Sequence, residues 1–144
     1  MAVARRSRLI RAAPQDIWEL IADPEHMPRW WPGVARMEGV ADDRFTQVLL
    51  TSRGRPVRAD FRVSDSEPPH TRSWEQEVEG TPFERVLNES IVTVELDARS
   101  EGTEVTIIQR QKLRGYSRTG GFLLRRATAR KLDEALDGLD RILG

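Results

Sequence analysis

The sequence predicts an α+β fold in which a curved antiparallel sheet of about seven strands packs against one long C-terminal helix. Three observations support this prediction. Residues 121–144 place apolar side chains at helical spacing along one face. The middle of the chain alternates apolar and polar residues in short runs, a pattern typical of strands. These runs follow one another without intervening helical segments, and that order favours an antiparallel sheet.

The C-terminal segment predicts an amphipathic helix of about 22 residues, which corresponds to roughly 33 Å. A helix of this length cannot bury its apolar stripe alone, so a broad surface must lie beneath it. We expect the sheet to curve around the helix and to leave a cavity between the two layers. The stripe consists of Leu132, Ala135, Leu136, Leu139, Ile142 and Leu143.

The N-terminal segment predicts one strand followed by two short helices. Residues 2–12 have strand character, although either register places an arginine on the inner face. Pro14 suits the first turn of a helix. That helix ends at Asp23-Pro24, because a residue before proline is pushed out of the α region. The segment from Pro28 to Gly33 has room for one helical turn at most.

Six further strands are predicted. Two of them, residues 57–64 and 71–79, alternate cleanly, and their outer faces carry arginines and glutamates that can pair across strands. The row of Glu75, Glu77 and Glu79 is therefore interpreted as a solvated strand face rather than as catalytic carboxylates. The six predicted strands cover residues 34–40, 45–52, 57–64, 71–79, 84–98 and 103–113, and residues 115–121 are predicted to form a loop.

The composition argues against several classes of function. The chain has 23 basic and 23 acidic residues, whereas a general nucleic-acid binder needs a basic excess. It has no cysteine, which excludes disulfides and thiol catalysis. No apolar run reaches the ~18–20 residues of a membrane span. We expect a cytoplasmic monomer or homodimer, with residues 1–144 forming one domain that neither binds nucleic acid nor inserts stably into a membrane.

Polar side chains interrupt the apolar inner faces of the predicted strands. An unpaired buried polar group costs ~1–3 kcal/mol, so a solid core does not explain amides and hydroxyls at these positions. A ligand cavity with a few polar groups does explain them. The alternative is that the inner face ends there and the side chains reach solvent at the sheet rim. The residues are Gln76, Asn88, Ser90, Gln109 and Gln111.

Aromatic residues complete the candidate ligand site. Trp30 and Trp31 are adjacent on one turn and point about 100° apart, so at least one is core and the other can line the cavity. Phe61 and Trp74 face inward and fit core and cavity wall equally well. The candidate ligand-binding residues are therefore Trp31, Phe61, Trp74 and the five polar residues named above. No cofactor is expected.

Other polar residues have simpler interpretations. His26 and His70 lack the spacing of metal ligands, so each is interpreted as a surface or capping residue and no metal site is predicted. The basic tract of Arg125, Arg126, Arg130 and Lys131 is interpreted as a solvated helix face. The alternative is a contact for an anionic headgroup or a partner.

The order of elements and the opening segment resemble the START-like helix-grip superfamily, also called SRPBCC, and in particular its polyketide cyclase/dehydrase-like members. The resemblance spans essentially the whole chain. It implies a cavity for a hydrophobic ligand between sheet and long helix, and a minority of such proteins are enzymes. The matching residues are Ile10-x-Ala12-x-Pro14-x-x-x-Trp18-x-x-Ile21-x-Asp23, Pro28-x-Trp30-x-Pro32 and Gly102-Thr103-x-Val105-Thr106.

Three functional hypotheses follow. The first is a binding or carrier protein for a small hydrophobic molecule such as a lipid, an isoprenoid quinone or an aromatic polyketide. The second is a polyketide cyclase or dehydratase that acts on a similar ligand, with Arg72, close to Trp74, as a group that can polarise a carbonyl. The sequence indicates no proton shuttle, so the catalytic residues are unknown and the enzyme question stays open. The third is a non-enzymatic regulatory or interaction module that uses the basic tract.

Overall fold

The structure, a computed structural model, describes residues 1–115 and 118–144. Its described part contains a seven-stranded sheet, three α-helices and two 3-10 turns. The strands are β1 (Ala2–Ile10), β2 (Val34–Glu38), β3 (Arg44–Leu50), β4 (Pro56–Glu67), β5 (Thr71–Gln76), β6 (Leu87–Arg99) and β7 (Gly102–Leu113). The helices are α1 (Pro14–Ile21), α2 (Met27–Trp30) and α3 (Arg118–Leu143), and the 3-10 turns cover Pro24–His26 and Pro82–Arg85.

The sheet is antiparallel throughout and runs in the order β1-β7-β6-β5-β4-β3-β2. Each strand from β2 to β7 lies beside its neighbour in sequence, as expected for short connections between antiparallel strands. Strand β1 pairs with β7, which brings the N-terminal strand to the edge beneath α3. The predicted α+β architecture is therefore confirmed.

Helix α3 buries the predicted apolar stripe, and Leu132, Leu136 and Leu139 have no exposed surface. It begins at Arg118, so the predicted loop is wrong for residues 118–121, and Gly120 and Gly121 lie inside the helix. Residues 116–117 of that loop lie outside the described residues. None of the helices in the described ranges combines the length and apolar character of a membrane span.

The register of β1 shows which arginines lie on the inner face of the sheet. Ala2 and Ala4 are buried, and by the two-residue period Arg6 and Arg8 lie on the same face. Arg6 Nε lies 3.3 Å from Asp133 Oδ2 of α3, and Arg8 pairs with Asp137 one turn further along the helix. The inward arginines therefore meet helix carboxylates at the sheet edge instead of entering the core.

The outer face of β4 and β5 carries the predicted ion pairs. Arg62 Nη2 lies 2.7 Å from Glu75 Oε2, so the predicted pairing on the outer strand face is confirmed for Glu75. Glu77 and Glu79 lie beyond the end of β5, so the prediction of one strand face is wrong for these two residues. The strand bounds differ from the prediction, because β4 continues to Glu67 and β5 ends at Gln76. Pro68 and Pro69 form the turn between them.

The start of β6 departs from the prediction. The 3-10 turn at residues 82–85 replaces the first predicted strand residues, and β6 begins at Leu87. A register shift between Leu87 and Glu89 then offsets the two-residue alternation. Leu87 and Ser90 are both buried while Asn88 is exposed. The expectation that Asn88 faces inward is therefore wrong. The bulge interrupts the strict alternation of faces, so Asn88 does not share the inner face with Ser90 and Val92.

An aromatic cluster joins α2 to the sheet. Trp30 and Trp31 are both buried, and their rings contact Trp74 edge to face at centroid distances of 6.4 and 5.6 Å. Helix α3 approaches this cluster closely at Gly138, where an added Cβ would lie 2.7 Å from the Trp30 carbonyl oxygen. The cluster packs Trp30 of α2, and Trp31 directly after it, against the sheet and the long helix.

Candidate functional site

A cavity of about 190 Å³ lies between the inner face of the sheet and α3. Apolar strand residues such as Leu49, Ala59 and Val92 line it together with aromatic side chains, and Lys131 lines it from the helix. Wider depressions of about 540 and 590 Å³ lie elsewhere, but they are more open to solvent. The predicted hollow between the two layers is therefore present.

The cavity brings together most of the residues that the sequence singled out. The predicted residues that line it are Trp31, Phe61, Trp74, Gln76, Ser90, Gln109 and Gln111. Asn88 does not line it and lies instead in an open depression near Arg44 and Glu77. The rim alternative is therefore correct for Asn88, while the other amides and the serine face the cavity.

Strand register places these side chains next to one another. Ser90 pairs with Gln111 and Val92 pairs with Gln109 across β6 and β7, while Phe61 pairs with Gln76 across β4 and β5. Residues two apart on a strand share a face, so the polar ends of several inner faces meet at one place. The apolar part of the cavity wall continues directly from them.

Several polar atoms of the cavity wall lack partners. Gln109 Nε2 donates a hydrogen bond to Ser90 Oγ at 3.2 Å, and Thr128 Oγ1 donates to Gln111 Oε1 at 2.9 Å. Among the described residues, Gln109 Oε1, Gln76 Nε2 and Trp74 Nε1 are buried without a hydrogen-bond partner. Native proteins pair nearly all such groups, so these atoms mark a place where water or a ligand completes the hydrogen bonding.

Lys131 is the main residue of this site that the sequence interpretation missed. Its Nζ lies 5.1 Å from the centroid of the Trp31 ring, within the range of a cation–π contact. Burial lowers the pKa of its amine, because removal from water penalises the charged form. A signal was available, since Lys131 stands three residues after Thr128 and four before Ala135, and both of these are buried.

The basic tract of α3 is accordingly not one surface. Arg125, Arg126 and Arg130 are exposed, as the interpretation of a solvated face requires, whereas Lys131 is partly buried and faces the cavity. That interpretation is therefore wrong for Lys131. A hydrophilic side chain does not by itself indicate exposure, and the position of Lys131 on the helix lies next to the buried stripe.

Gln47 is a second missed residue. It is buried on β3 and lines the cavity, and its Nε2 lies 3.4 Å from Met27 Sδ as a hydrogen-bond donor. The alternation that identified the other amides also applies here, because Gln47 shares a strand face with buried Phe45 and with Leu49. The two-residue period along β3 therefore predicts that Gln47 faces inward.

Arg72 does not reach the cavity. It is buried on β5, where burial lowers its pKa, and its Nη1 donates a hydrogen bond to Ser66 Oγ at 3.1 Å. Arg72 instead lines a separate depression together with Trp18 and Val40. The structure therefore does not bring Arg72 together with the polar groups around Trp74 to act on a shared ligand.

The two histidines lie apart from the cavity. His26 Nε2 lies 3.6 Å from Asp23 Oδ2 in the turn before α2, and His70 is exposed. In the part of the chain that the structure describes, His, Cys, Asp and Glu side chains form no group that could hold a metal ion.

The curved sheet, the long C-terminal helix and the cavity between them define a helix-grip fold. A comparison with protein families identifies the family to which the chain belongs. The whole chain, residues 1–144, matches the family described as polyketide cyclase / dehydrase and lipid transport. The chain therefore belongs to this family. No curated protein sequence matches it.

Solved structures share the fold at low sequence identity. The di-domain aromatase/cyclase (ARO/CYC) StfQ of the steffimycin pathway has a TM-score of 0.79 at 14% identity, over 97% of this chain and 50% of that chain. The di-domain ARO/CYC BexL of the BE-7585A pathway has a TM-score of 0.79 at 23% identity, over 98% and 46%. A START superfamily protein from Mycobacterium smegmatis has a TM-score of 0.78 at 8% identity, over 99% and 97%. This chain thus spans about half the length of the two di-domain proteins.

Proposed function

We propose that the protein binds a small hydrophobic molecule in the cavity between the sheet and α3. The observation that carries the proposal is the set of buried polar atoms without partners on Trp74, Gln76 and Gln109, on the wall of a largely apolar cavity. Apolar contacts would supply affinity and the few polar groups would fix orientation, as in other ligand pockets. Membership of a family that includes lipid-transport proteins supports the same conclusion.

The volume of the cavity limits the ligand. A cavity of about 150 Å³ holds benzene, whereas pockets for drug-sized ligands range over about 300–1,000 Å³. At about 190 Å³, this cavity suits a molecule of one or two rings, or a short chain. An isoprenoid quinone, a diacyl lipid or an extended polyketide would need the layers to separate further.

The proposal extends to the setting in which the protein works. We place this carrier in the cytoplasm as a monomer or a homodimer, with the domain of residues 1–144 sufficient for binding. The equal numbers of basic and acidic residues support a function without nucleic acid.

Filling the cavity tests the proposal. Val92 is buried on the cavity wall, so Val92→Phe would place a ring in the space that the ligand needs. We expect calorimetric titration with 2-naphthol to show binding to the wild type. The affinity of the variant should be lower by a factor of about ten or more.

The matched control for this test is Ile91→Phe, which adds the same ring at the neighbouring position on the opposite face of β6. It should bind 2-naphthol as the wild type does. Binding that survives in Val92→Phe, with both variants folded by circular dichroism, would show that the ligand lies elsewhere.

An enzyme of the cyclase or dehydratase type is the second candidate, and Lys131 favours it. The sequence offered no group for proton transfer on an inward face, whereas the structure places an amine of lowered pKa on the cavity wall. An amine with a pKa closer to neutrality is a better general acid or base. Turnover of a short poly-β-ketone mimic by the wild type, and its loss in Lys131→Met, would support this candidate; absence of turnover would leave the carrier function.

A further inference from the structure

Lys131 brings one positive charge to the wall of the cavity. Its side chain extends from the buried side of α3, between Thr128 and Ala135, and its ammonium lies over the ring of Trp31. The contact of 5.1 Å between Nζ and the ring centroid favours the protonated amine, because the ring face is electron-rich. The protonated amine therefore gives this part of the cavity wall a positive charge.

This charge has no acidic counterpart at the site. Among the described residues, no other ionisable side chain lines the cavity, and none of the ion pairs involves Lys131. Glu134, the acid nearest along the helix on that side, lies in the open depression beside Arg141. A desolvated charge without a partner is unfavourable, so an anion that enters the cavity would be stabilised by it.

The neutral groups of the wall add hydrogen-bond donors. Within the described ranges, Gln76 Nε2 and Trp74 Nε1 are buried donors without a partner, whereas Gln109 Oε1 is an unpaired acceptor. Exchange of the oxygen and nitrogen of Gln109 would turn that acceptor into a further donor. With Lys131 included, donors outnumber acceptors, and a ligand rich in acceptor oxygens matches this set.

We propose that the cavity selects small organic carboxylates, with an apolar body of one or two rings and with Lys131 as the residue that contacts the carboxylate. The inference rests on the proposed function and names the chemical class of its ligand. The volume of about 190 Å³ leaves room for the apolar body against Phe61 and Val92, with the carboxylate oxygens toward Lys131 and the unpaired amides. A single carboxylate matches the single charge of the site.

Matched pairs of ligands test the inference. Benzoate and benzamide have the same shape and differ in charge, and 2-naphthoate and 2-naphthamide form the same pair with two rings. We expect calorimetric titration at pH 7 to show that the wild type binds the carboxylate of a pair about tenfold more tightly than the amide, as a hydrogen bond to a charged group allows. Lys131→Met should lose this preference and still bind the amide.

Control variants separate this role from a general effect on the helix. Arg130→Met removes the neighbouring exposed charge and should keep the full preference for the carboxylate. Lys131→Gln is measured beside Lys131→Met as a second neutral variant, and circular dichroism establishes that each variant is folded.

The outcomes distinguish the two proposals. Equal affinity of the wild type for carboxylate and amide, or a preference that persists in folded Lys131 variants, would overturn the inference and leave the carrier function intact. Failure of all four compounds to bind to the wild type would overturn the inference, and failure of 2-naphthol to bind as well would overturn both proposals.

Discussion

Gln76 places an amide nitrogen inside the fold without a hydrogen-bond partner among the described residues. A polar group in this state costs about 1–3 kcal/mol, which the fold must offset elsewhere. A protein that only had to be stable would gain from an apolar side chain at this position. In the proposed function, the ligand would supply the missing partner of this amide.

Replacing this amide tests the explanation. We expect Gln76→Leu to raise the free energy of unfolding of the ligand-free protein by about 1 kcal/mol, because it removes an unsatisfied buried group of similar size. Urea denaturation measures the change. Gln15→Leu, at an exposed position of α1, is the control and should leave the stability within about 0.5 kcal/mol of the wild type. Destabilisation by Gln76→Leu would mean that the amide has a structural partner.

Lys131 gives the stability a definite dependence on pH. Burial holds its pKa in the folded protein below the ordinary value of 10.5. Between the folded pKa and 10.5, the unfolded chain binds more protons than the folded chain does. The free energy of unfolding contributed by this residue therefore rises with pH across that window, and below it the buried charge lowers stability.

Lys131→Met isolates this contribution. We expect the variant to be more stable than the wild type at neutral pH. The difference should shrink as the pH rises through 10.5, because above that pH the wild-type amine becomes neutral in both states. Urea denaturation at a series of pH values measures it, with Lys112→Met, at an exposed position of β7, as the control. A difference that grows with pH would contradict the burial of the charge.

At the scale of elements, the close approach of α3 to α2 depends on Gly138. Glycine lowers helix stability by about 1 kcal/mol relative to alanine, yet this position leaves no room for a side chain. An added Cβ would meet Trp30 backbone atoms at 2.7 and 2.8 Å, so the two helices would have to separate. The glycine thereby lets α2 pack against α3 and holds the following Trp31 at the cavity wall.

Gly138→Ala is accordingly expected to destabilise the protein by about 1–3 kcal/mol, because the overpacking outweighs the gain in helix propensity. It should also weaken ligand binding, since Trp31 follows directly after α2 and lines the cavity. Thermal unfolding and calorimetric titration measure the two effects. Ala127→Gly, at an exposed position of the same helix, reports the propensity term alone. A more stable Gly138→Ala variant would show that the helices do not pack this closely.

The elements also show what sequence patterns predict well. The stripe of α3 and the alternation of β4 and β7 follow from side-chain periods of 3.6 and 2, which are read directly from the order of residues. Asn88 was misplaced because a bulge depends on pairing with the neighbouring strand and leaves no mark in the alternation itself. Lys131 lines the cavity although its charge favours a solvated face, because its place on α3 lies between the buried residues Thr128 and Ala135.

At the scale of the whole molecule, the layers were predictable and the dimensions of the cavity were not. Apolar faces on sheet and helix require the two to pack together. The volume left between them depends on how side chains such as Phe61, Trp74 and Lys131 fill the space, which is a property of three-dimensional packing. The partners of Gln76 and Gln109 depend on the same packing, so the sequence indicated polar wall residues without indicating which atoms lack hydrogen bonds.

In the proposed function, a ligand enters this cavity and contacts the unpaired polar groups of its wall. The most direct measurement is titration with 2-naphthoate followed by the side-chain N–H resonances of tryptophan and glutamine in 1H–15N NMR spectra. We expect shifts for Trp31, Trp74, Gln76 and Gln109, and an unchanged resonance for Trp18, which lies in the separate depression beside Arg72. Shifts confined to Trp18, or saturation of binding with Trp74 and Gln76 unperturbed, would contradict it.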